Sequence, residues 1–415
     1  MKSMKAPAMK APAIKAPAIK ALAIRTLAIA AAFVAGAGIP AARAIAGSER
    51  VLYAFQGNSD GASPLAGVVE FNGALYGTTI AGGTDNAGTL FVLTPRAGQW
   101  HEAHYFLGGN EGSQPVAALI AVGATLYGTA SVGGRRGYGT VFSFAPATGI
   151  ITPIHAFAGG PFDGATPAAS LLHVGNALFG TTEQGGLGGY FGWGTVFEVN
   201  LGNNREETLY RFGAQPSDGY DAAGSLINLN GTLYSTTYGQ NLLGCGTVFS
   251  LNHKQPGKER VLHTFPCSNT SDGDGPLAGL VSFGGMLYGT TMAGGASGVG
   301  TIFVVNPLSG EEAALYSFSN SSAGSEPFDS LLNDGGILIG TTEVGGATNA
   351  NCPYGCGTVF SFDPKTGVET VIYAFQGGTD GADPRANVID VAGTLYGTTV
   401  AGGTYGLGTV FAITR

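Results

Sequence analysis

One sequence pattern recurs seven times along the chain. In its clearest copy, Leu395-Tyr396-Gly397-Thr398-Thr399 is followed by a Gly-Gly pair and then by Gly408-Thr409-Val410-Phe411. The copies begin 51 to 57 residues apart, at Leu75, Leu126, Leu178, Leu233, Leu287, Leu338 and Leu395. A period of this length, built from strand-forming residues and turn formers, is typical of one β-propeller blade. The sequence therefore predicts an all-β, seven-bladed β-propeller.

The composition agrees with many short strands joined by tight turns. The chain has 71 glycines without a collagen period, and its 44% hydrophobic content is too high for a disordered chain. A length of 415 residues would ordinarily suggest several domains. Evenly spaced repeats indicate one domain instead, because a single repeat cannot bury its own apolar faces. We expect residues 45–415 to form it.

Each repeat is predicted to form four strands. In the last copy these are residues 385–391, 394–400 and 409–414, and the sixth copy supplies the pattern of a fourth strand at 370–375. This phasing leaves the seventh blade one strand short. Residues 50–55 closely match 370–375, so the N-terminal strand is predicted to complete the last blade and close the ring.

The first 44 residues differ from the rest and are predicted to be a cleavable signal peptide. A lysine-rich start precedes an apolar run at 26–39, and 42–44 has the small-x-small form of a cleavage site. Fourteen residues are too few to span a bilayer easily, although an uncleaved anchor is the alternative. We therefore expect an exported protein, periplasmic or secreted, that is monomeric and has no membrane span once processed.

Cleavage would leave a strongly acidic chain. Seven of the 19 basic residues lie in the first 44 positions, so 12 remain against 27 acidic ones, a formal charge of −15. Such a surface repels phosphate backbones. Nucleic acid is therefore not expected as a partner.

The Leu-Tyr-Gly-Thr-Thr, Gly-Gly and Gly-Thr-Val-Phe elements together resemble the GloVer tandem-repeat family of bacterial envelope and secreted proteins. The resemblance covers residues 50–415 and implies a β-propeller, but no established reaction. Members are associated with varied C-terminal anchors, and this chain shows none after its last repeat. The fourth copy also departs from the pattern, because Ser235 replaces its first glycine.

Four cysteines in an exported chain predict disulfides. Cys245 precedes a third strand and Cys267 follows the fourth strand of the same blade, which places them side by side in an antiparallel pair. Cys352 and Cys356 flank three residues of one loop and could close a small ring. Metal binding by this second pair is the weaker alternative, since no histidine lies near it.

An acidic residue followed by glycine recurs after the fourth strand in six copies. The acids are Asp60, Glu111, Asp163, Asp218, Asp272 and Asp380, and Asp274 adds a second carboxylate beside Asp272. Asp-Gly is first of all a turn former whose side chain bonds its own backbone. A ring of carboxylates on turns would also suit calcium. No other cofactor is predicted.

Three histidines, His104, His155 and His263, occupy the position that tyrosine holds in other copies, as at Tyr53 and Tyr210. They alternate with phenylalanine on one strand face, so we interpret them as packing residues with a polar tip. No acid or nucleophile accompanies them at a fixed spacing, and no catalytic residue is predicted.

The loops between second and third strands vary most, and variable loops on a rigid scaffold are where binding usually occurs. Exposed aromatic rings there could stack on sugars or anchor a protein, or they could simply cover the neighbouring blade. The candidate ligand-binding residues are Arg135, Arg136, Tyr138, Tyr190, Phe191, Trp193, Tyr354 and Tyr405.

These features favour a non-enzymatic binding or scaffold protein that recognises a glycan or an envelope protein through one loop face. One alternative is a polysaccharide lyase or hydrolase that uses the carboxylate ring. An enzyme should concentrate polar residues in a few blades, whereas this ring is nearly the same in six. The other alternative is a purely structural envelope protein.

Overall fold

The computed structural model describes residues 47–96, 98–240, 244–267, 271–319 and 322–415. The predicted signal peptide lies outside these ranges. Seven four-stranded antiparallel sheets follow one another along the chain, one for each repeat, and form a β-propeller. The predicted fold is therefore confirmed. In the described part of the chain, no helix is long and apolar enough to cross a membrane.

Each blade consists of four strands, which follow one another in order from the propeller axis to the outer edge. From blade 1 to blade 7, the first, innermost strands are Val69–Phe71, Ile120–Val122, Leu172–Val174, Ile227–Leu229, Val281–Phe283, Leu332–Asp334 and Ile389–Val391. The second strands are Ala74–Thr79, Thr125–Ala130, Ala177–Thr182, Thr232–Thr237, Met286–Thr291, Ile337–Thr342 and Thr394–Thr399. The third strands are Thr89–Thr94, Thr140–Ala145, Thr195–Asn200, Gly244–Asn252, Thr301–Val305, Thr358–Asp363 and Thr409–Thr414. The fourth, outer strands are Gln99–Tyr105, Ile150–Ala156, Arg205–Arg211, Glu259–Pro266, Glu312–Ser317, Val368–Ala374 and, in blade 7, Ser48–Ala54.

The N-terminal strand closes the ring as predicted. Ser48–Ala54 pairs antiparallel with Thr409–Thr414, with Ser48 opposite Thr414 and Ala54 opposite Thr409. It is thus the outer strand of blade 7, although it precedes blade 1 in the chain. The two ends of the propeller are joined by backbone hydrogen bonds, which leave no open blade.

The predicted innermost strand is too long. Residues 385–388 are irregular, and only Ile389–Val391 pairs as a strand. The segments before the first strands converge on the propeller axis, and their carbonyls accept hydrogen bonds from a neighbouring blade instead. For example, Thr341 Oγ1 donates to Ala386 O at 3.0 Å, and Thr398 Oγ1 donates to Ala66 O at 2.8 Å.

Short pairings fasten the blade connections to the loops. They are Gly164–Ala165 with Gln184–Gly185, Gly219–Tyr220 with Gly239–Gln240, Gly273–Asp274 with Ala293–Gly294, and Gly381–Ala382 with Ala401–Gly402. Two single-turn 3-10 helices, Asn58–Asp60 and Gly160–Phe162, lie in the connections. Loops and connections therefore lie on the same face of the propeller.

Pairs of phenylalanine rings form part of the core between neighbouring blades. The phenylalanine at the end of each fourth strand meets the third-strand phenylalanine of the next blade edge-on, with ring centroids 5.0–5.3 Å apart. Phe55 against Phe91 makes this contact between blades 7 and 1. Edge-to-face pairs of this kind add to the stabilisation from burial.

The second-strand glycine is required because this phenylalanine covers it. A Cβ on Gly77 would collide with Cζ of Phe91. Blade 4 carries Ser235 there, whose hydroxyl donates to Gly224 O at 2.8 Å. Gly224 itself stands where five other blades have alanine, and a Cβ on it would lie 2.8 Å from Ser235 Oγ. The two changes in blade 4 therefore accommodate each other.

Candidate functional site

A cleft of about 570 Å³ opens on the loop face between blades 2 and 3. Tyr138 of blade 2 lines one side, and Leu187, Tyr190 and Phe191 of blade 3 line the other. Tyr190 is 94% exposed and Phe191 66% exposed, and their rings meet edge-on at 4.8 Å. The lining described by the structure contains glycine backbone and Gln184 but no charged side chain.

Backbone hydrogen bonds hold the blade 3 loop that carries these rings. The N–H of Gly185 donates to Phe191 O, and the N–H of Trp193 donates to Leu187 O, both at 2.8 Å. A Cβ on Gly192 would overlap the backbone of Gly185. The loop folds back on itself this tightly only because it is rich in glycine.

Trp193 lies beneath this loop and is only partly exposed. Its indole covers Gly188, where a Cβ would collide with the ring, and its centroid lies 6.3 Å from that of Tyr220 in blade 4. It also packs against the core that includes Phe212. Trp193 therefore supports the loop, and the structure does not place it at the surface of the cleft.

The other predicted residues are spread over the loop face. Arg135 and Arg136 are exposed on the same loop as Tyr138. Tyr354 is 84% exposed on blade 6, and Tyr405 is 55% exposed on blade 7. Neither of these tyrosines lines the cleft between blades 2 and 3. Of the eight candidates, only Tyr138, Tyr190 and Phe191 are brought together by it.

Both predicted disulfides are present. Cys245 and Cys267 join the third and fourth strands of blade 4, with Cα atoms 4.9 Å apart. Cys352 and Cys356 close the loop of blade 6 that carries Tyr354, with Cα atoms 5.3 Å apart. Their sulfurs pack against Gly377 of the following connection.

The acidic residues of the predicted carboxylate ring accept hydrogen bonds from the blade connections that contain them, as turn-forming residues do. Asp218 accepts hydrogen bonds from the N–H groups of Gly213 and Gln215 at 2.9 Å and from the Tyr210 hydroxyl at 2.8 Å. Asp60 accepts from Tyr53 and the Gln56 N–H at 2.6 Å. Asp380 bonds Tyr373, Gln376 and Gly381 in the same way, all within 2.9 Å.

Most of these acids lie close to a glutamate from the next blade. Within its own fourth strand, this glutamate lies four residues before the tyrosine or histidine. Four acids have such a neighbour, namely Asp380 with Glu49, Asp163 with Glu206, Asp218 with Glu259 and Asp272 with Glu312, and Glu369 is the fifth glutamate at this position. Burial, and to a smaller extent the negative charge of Asp218, raises the pKa of Glu259 to about 8. Burial, and to a smaller extent the negative charge of Asp272, raises the pKa of Glu312 to about 7. At blade 5, where Ala323 replaces the acid, Tyr316 donates instead to Glu369 at 3.3 Å.

The histidines do contact acids, but at no fixed spacing in the sequence, since the partner lies seven, eight or nine residues further along the chain. His104 Nε2 lies 3.1 Å from Glu111, His155 Nε2 lies 3.5 Å from Asp163, and His263 Nε2 lies 3.2 Å from Asp272. The intervening connections contain different numbers of residues. That variation hid the pairing, and aligning both ends of each connection separately would have found it.

A second cavity, of about 300 Å³, lies on the propeller axis and is lined by all seven blades. Its charged lining residues are Glu183 of blade 3, Asp329 of blade 6 and Arg385 of blade 7, and blades 2, 3 and 4 add the hydroxyl groups of Ser131, Thr166, Ser170 and Ser225. Arg385 donates to Glu343 at 2.6 Å and lies 5.5 Å from the ring centre of Phe328. Asp329 accepts the Asn387 N–H at 3.0 Å, and burial raises its pKa.

The sequence matches the model of the Gloeobacter/Verrucomicrobia repeat twice in tandem, over residues 42–190 and 187–352. The chain belongs to this repeat family. The match spans most of the propeller and confirms the resemblance to the GloVer repeats. No curated protein matches the chain significantly.

Three solved structures share the fold at low identity. The computationally designed Ika8 protein is 14% identical with a TM-score of 0.50, covering 88% of this chain and 99% of its own. An oligogalacturonate lyase in complex with manganese is 13% identical, with a TM-score of 0.51 and coverages of 82% and 86%. The extracellular domain of the putative hybrid two component system BT4673 from B. thetaiotaomicron is 11% identical with a TM-score of 0.56. That match covers 89% of this chain and 40% of the other.

Proposed function

We propose that this protein is an exported binding protein that recognises an uncharged glycan in the cleft between blades 2 and 3. The observation that carries the proposal is the convergence of Tyr138, Tyr190 and Phe191 on one cleft. Two of these rings are largely exposed on a loop fixed by its own backbone bonds. Exposing them to water without a ligand is unfavourable, since apolar burial contributes about 25 cal/mol per Å².

The chemistry of the cleft fits a sugar. Aromatic faces accept the C–H faces of pyranose rings, while backbone groups and Gln184 can bond hydroxyls. The lack of a charged side chain in the described lining favours a neutral saccharide over a uronic acid. The two disulfides and the basic, then apolar, N-terminal segment support export to an oxidising compartment.

The alternative of a lyase or hydrolase that uses the carboxylate ring has less support. Asp60, Asp218 and Asp380 already accept two or more hydrogen bonds each, from their own loops and from tyrosines. A carboxylate engaged in this way is a poor general base. The charged residues that line the axial cavity are the one observation that favours an enzyme, but Arg385 there is paired with Glu343.

Binding to a panel of neutral and acidic bacterial and plant glycans tests the proposal. We expect one class of neutral glycan to bind, and Tyr190→Ala and Phe191→Ala each to weaken binding at least tenfold. Tyr354→Ala removes another largely exposed tyrosine, from blade 6, and should leave affinity unchanged. A panel without binding, or binding that survives both cleft variants, would contradict it. Tyr190-dependent binding of an envelope protein alone would replace the glycan with a protein partner.

A further inference from the structure

Two blade interfaces bring together a histidine, an aspartate and a glutamate. Among the residues that the structure describes, His263, Asp272 and Glu312 place one donor atom each within 4.8 Å of one another, and so do His155, Asp163 and Glu206. In each set the histidine and aspartate belong to one blade, and the glutamate belongs to the next. The sets lie between blades 4 and 5 and between blades 2 and 3.

A hydrogen-bond network does not fully satisfy these groups. The Glu312 side chain is only 8% exposed, and no N–H or O–H of the described residues donates to its Oε1. Its Oε2 lies 3.9 Å from His263 Nε2. At the other interface, Nε2 of His155 is buried and 3.5 Å from Asp163 Oδ2, and it forms no hydrogen bond with the described residues. Buried carboxylates and imidazoles normally have such partners, and a bound cation would supply one at both positions.

We propose that each set binds one divalent first-row transition metal ion, of which Zn²⁺ is the representative. Two carboxylates and one neutral imidazole together offset the charge of a dication. Three protein donors with a fourth, open position are a common zinc arrangement, and calcium needs six to eight oxygen donors instead. His263 and Asp272 are about one-fifth exposed, so water can reach the fourth position.

The surrounding backbone already orients the ligands. Oδ1 of Asp272 accepts the N–H of Gly273, and Oδ1 of Asp163 accepts the N–H of Gly164, both at 2.7 Å. Hydrogen bonds of this kind fix the direction of a ligating carboxylate. Donor atoms around tetrahedral zinc are about 3.4 Å apart. Small side-chain rotations across the blade interface are therefore sufficient to close either site.

Neighbouring interfaces supply natural controls. Between blades 3 and 4 the same place holds Tyr210, Asp218 and Glu259, and the tyrosine hydroxyl bonds the aspartate directly. A tyrosine in place of the histidine is thus compatible with the fold. Between blades 1 and 2, His104 and Glu111 are present, but Ile151 occupies the glutamate position. That interface lacks a third ligand at this position.

The test is metal stoichiometry on the purified, tag-free protein after EDTA treatment and dialysis, with Zn²⁺ by calorimetry and with Co²⁺ by visible absorption. We expect two equivalents for the wild type, one for His263→Tyr and none for the His155→Tyr/His263→Tyr double variant. His104→Tyr should still bind two. Thermal unfolding should shift upward with Zn²⁺ in the wild type but not in the double variant.

The outcomes separate clearly. A wild type that takes up no metal, or a double variant that takes up as much as the wild type, would overturn the proposal. One equivalent that is lost in His263→Tyr would support the site between blades 4 and 5 and overturn the other. A melting temperature of the double variant close to that of the metal-free wild type shows that the fold is intact. Glycan binding is read out separately, so failure of this test leaves the proposed function untouched.

Discussion

The strands of the blades and the loops at their tips differ in how much variation they tolerate. Within the strands, the same contacts recur in nearly every blade, such as the buried Thr-Thr hydroxyl pair formed by Thr79 with Thr89 and by Thr399 with Thr409, both at 2.8 Å. The loops between second and third strands share little beyond their glycines. Tyr190 is 94% exposed, whereas Phe91 and its equivalents are fully buried. We infer that the repeated strands provide stability, and we propose that individual loops provide binding specificity.

The largest expected effect comes from removing the disulfide of blade 4. Replacing both Cys245 and Cys267 with serine frees a loop of 22 residues, which should lower the free energy of unfolding by about 3 kcal/mol. Chemical denaturation measures the loss. The matched pair Cys352→Ser/Cys356→Ser opens a much shorter ring and should cost less, about 2 kcal/mol. A larger loss from the loop pair than from the strand pair would contradict the division between strands and loops.

A serine at the second-strand glycine position should destabilise blade 1, although blade 4 carries one there. Gly77→Ser forces a side chain against Phe91, and overpacking of this kind costs about 2 kcal/mol. Adding Ala66→Gly recreates the pairing of Ser235 with Gly224 and should recover part of the loss. Thermal unfolding of the single and double variants checks this. Equal stability of both variants would show that the two changes in blade 4 are unrelated.

A pH dependence is also expected at the interface of blades 3 and 4. The pKa of Glu259 is raised to about 8, so the folded protein keeps a proton that the unfolded chain releases near pH 4.5. Stability therefore falls as pH rises from about 4.5 to about 8. Glu259→Gln should reduce this slope in melting curves, while Glu207→Gln, at an exposed site directly after Glu206, should not. A slope unchanged by Glu259→Gln would count against a protonated glutamate at this interface.

Repetition made the fold predictable. Seven copies of one pattern identified the blades, and the match between residues 50–55 and 370–375 identified the closing strand, now observed as Ser48–Ala54. The prediction failed over residues 385–388 because apolar content there reflects burial at the axis. It does not reflect sheet pairing, since carbonyls in this segment accept hydrogen bonds from a neighbouring blade.

The candidate sites were only partly predictable. Loop variability pointed to Tyr138, Tyr190 and Phe191, but it equally pointed to Trp193, which the structure buries partly beneath the same loop. The interface sets were missed because their members come from two consecutive copies. His263 and Glu312 lie 49 residues apart in the chain, and only the packing of blade 4 against blade 5 brings them together.

A loop exchange tests most directly whether the strands carry stability and the loops carry function. Residues 187–193 of blade 3 are replaced with the sequence of residues 404–407 of blade 7, and glycan affinity and the melting temperature are measured side by side. We predict at least a tenfold loss of affinity with a melting temperature within a few degrees of the wild type. Unchanged affinity, or a chain that no longer folds, would contradict this division of roles.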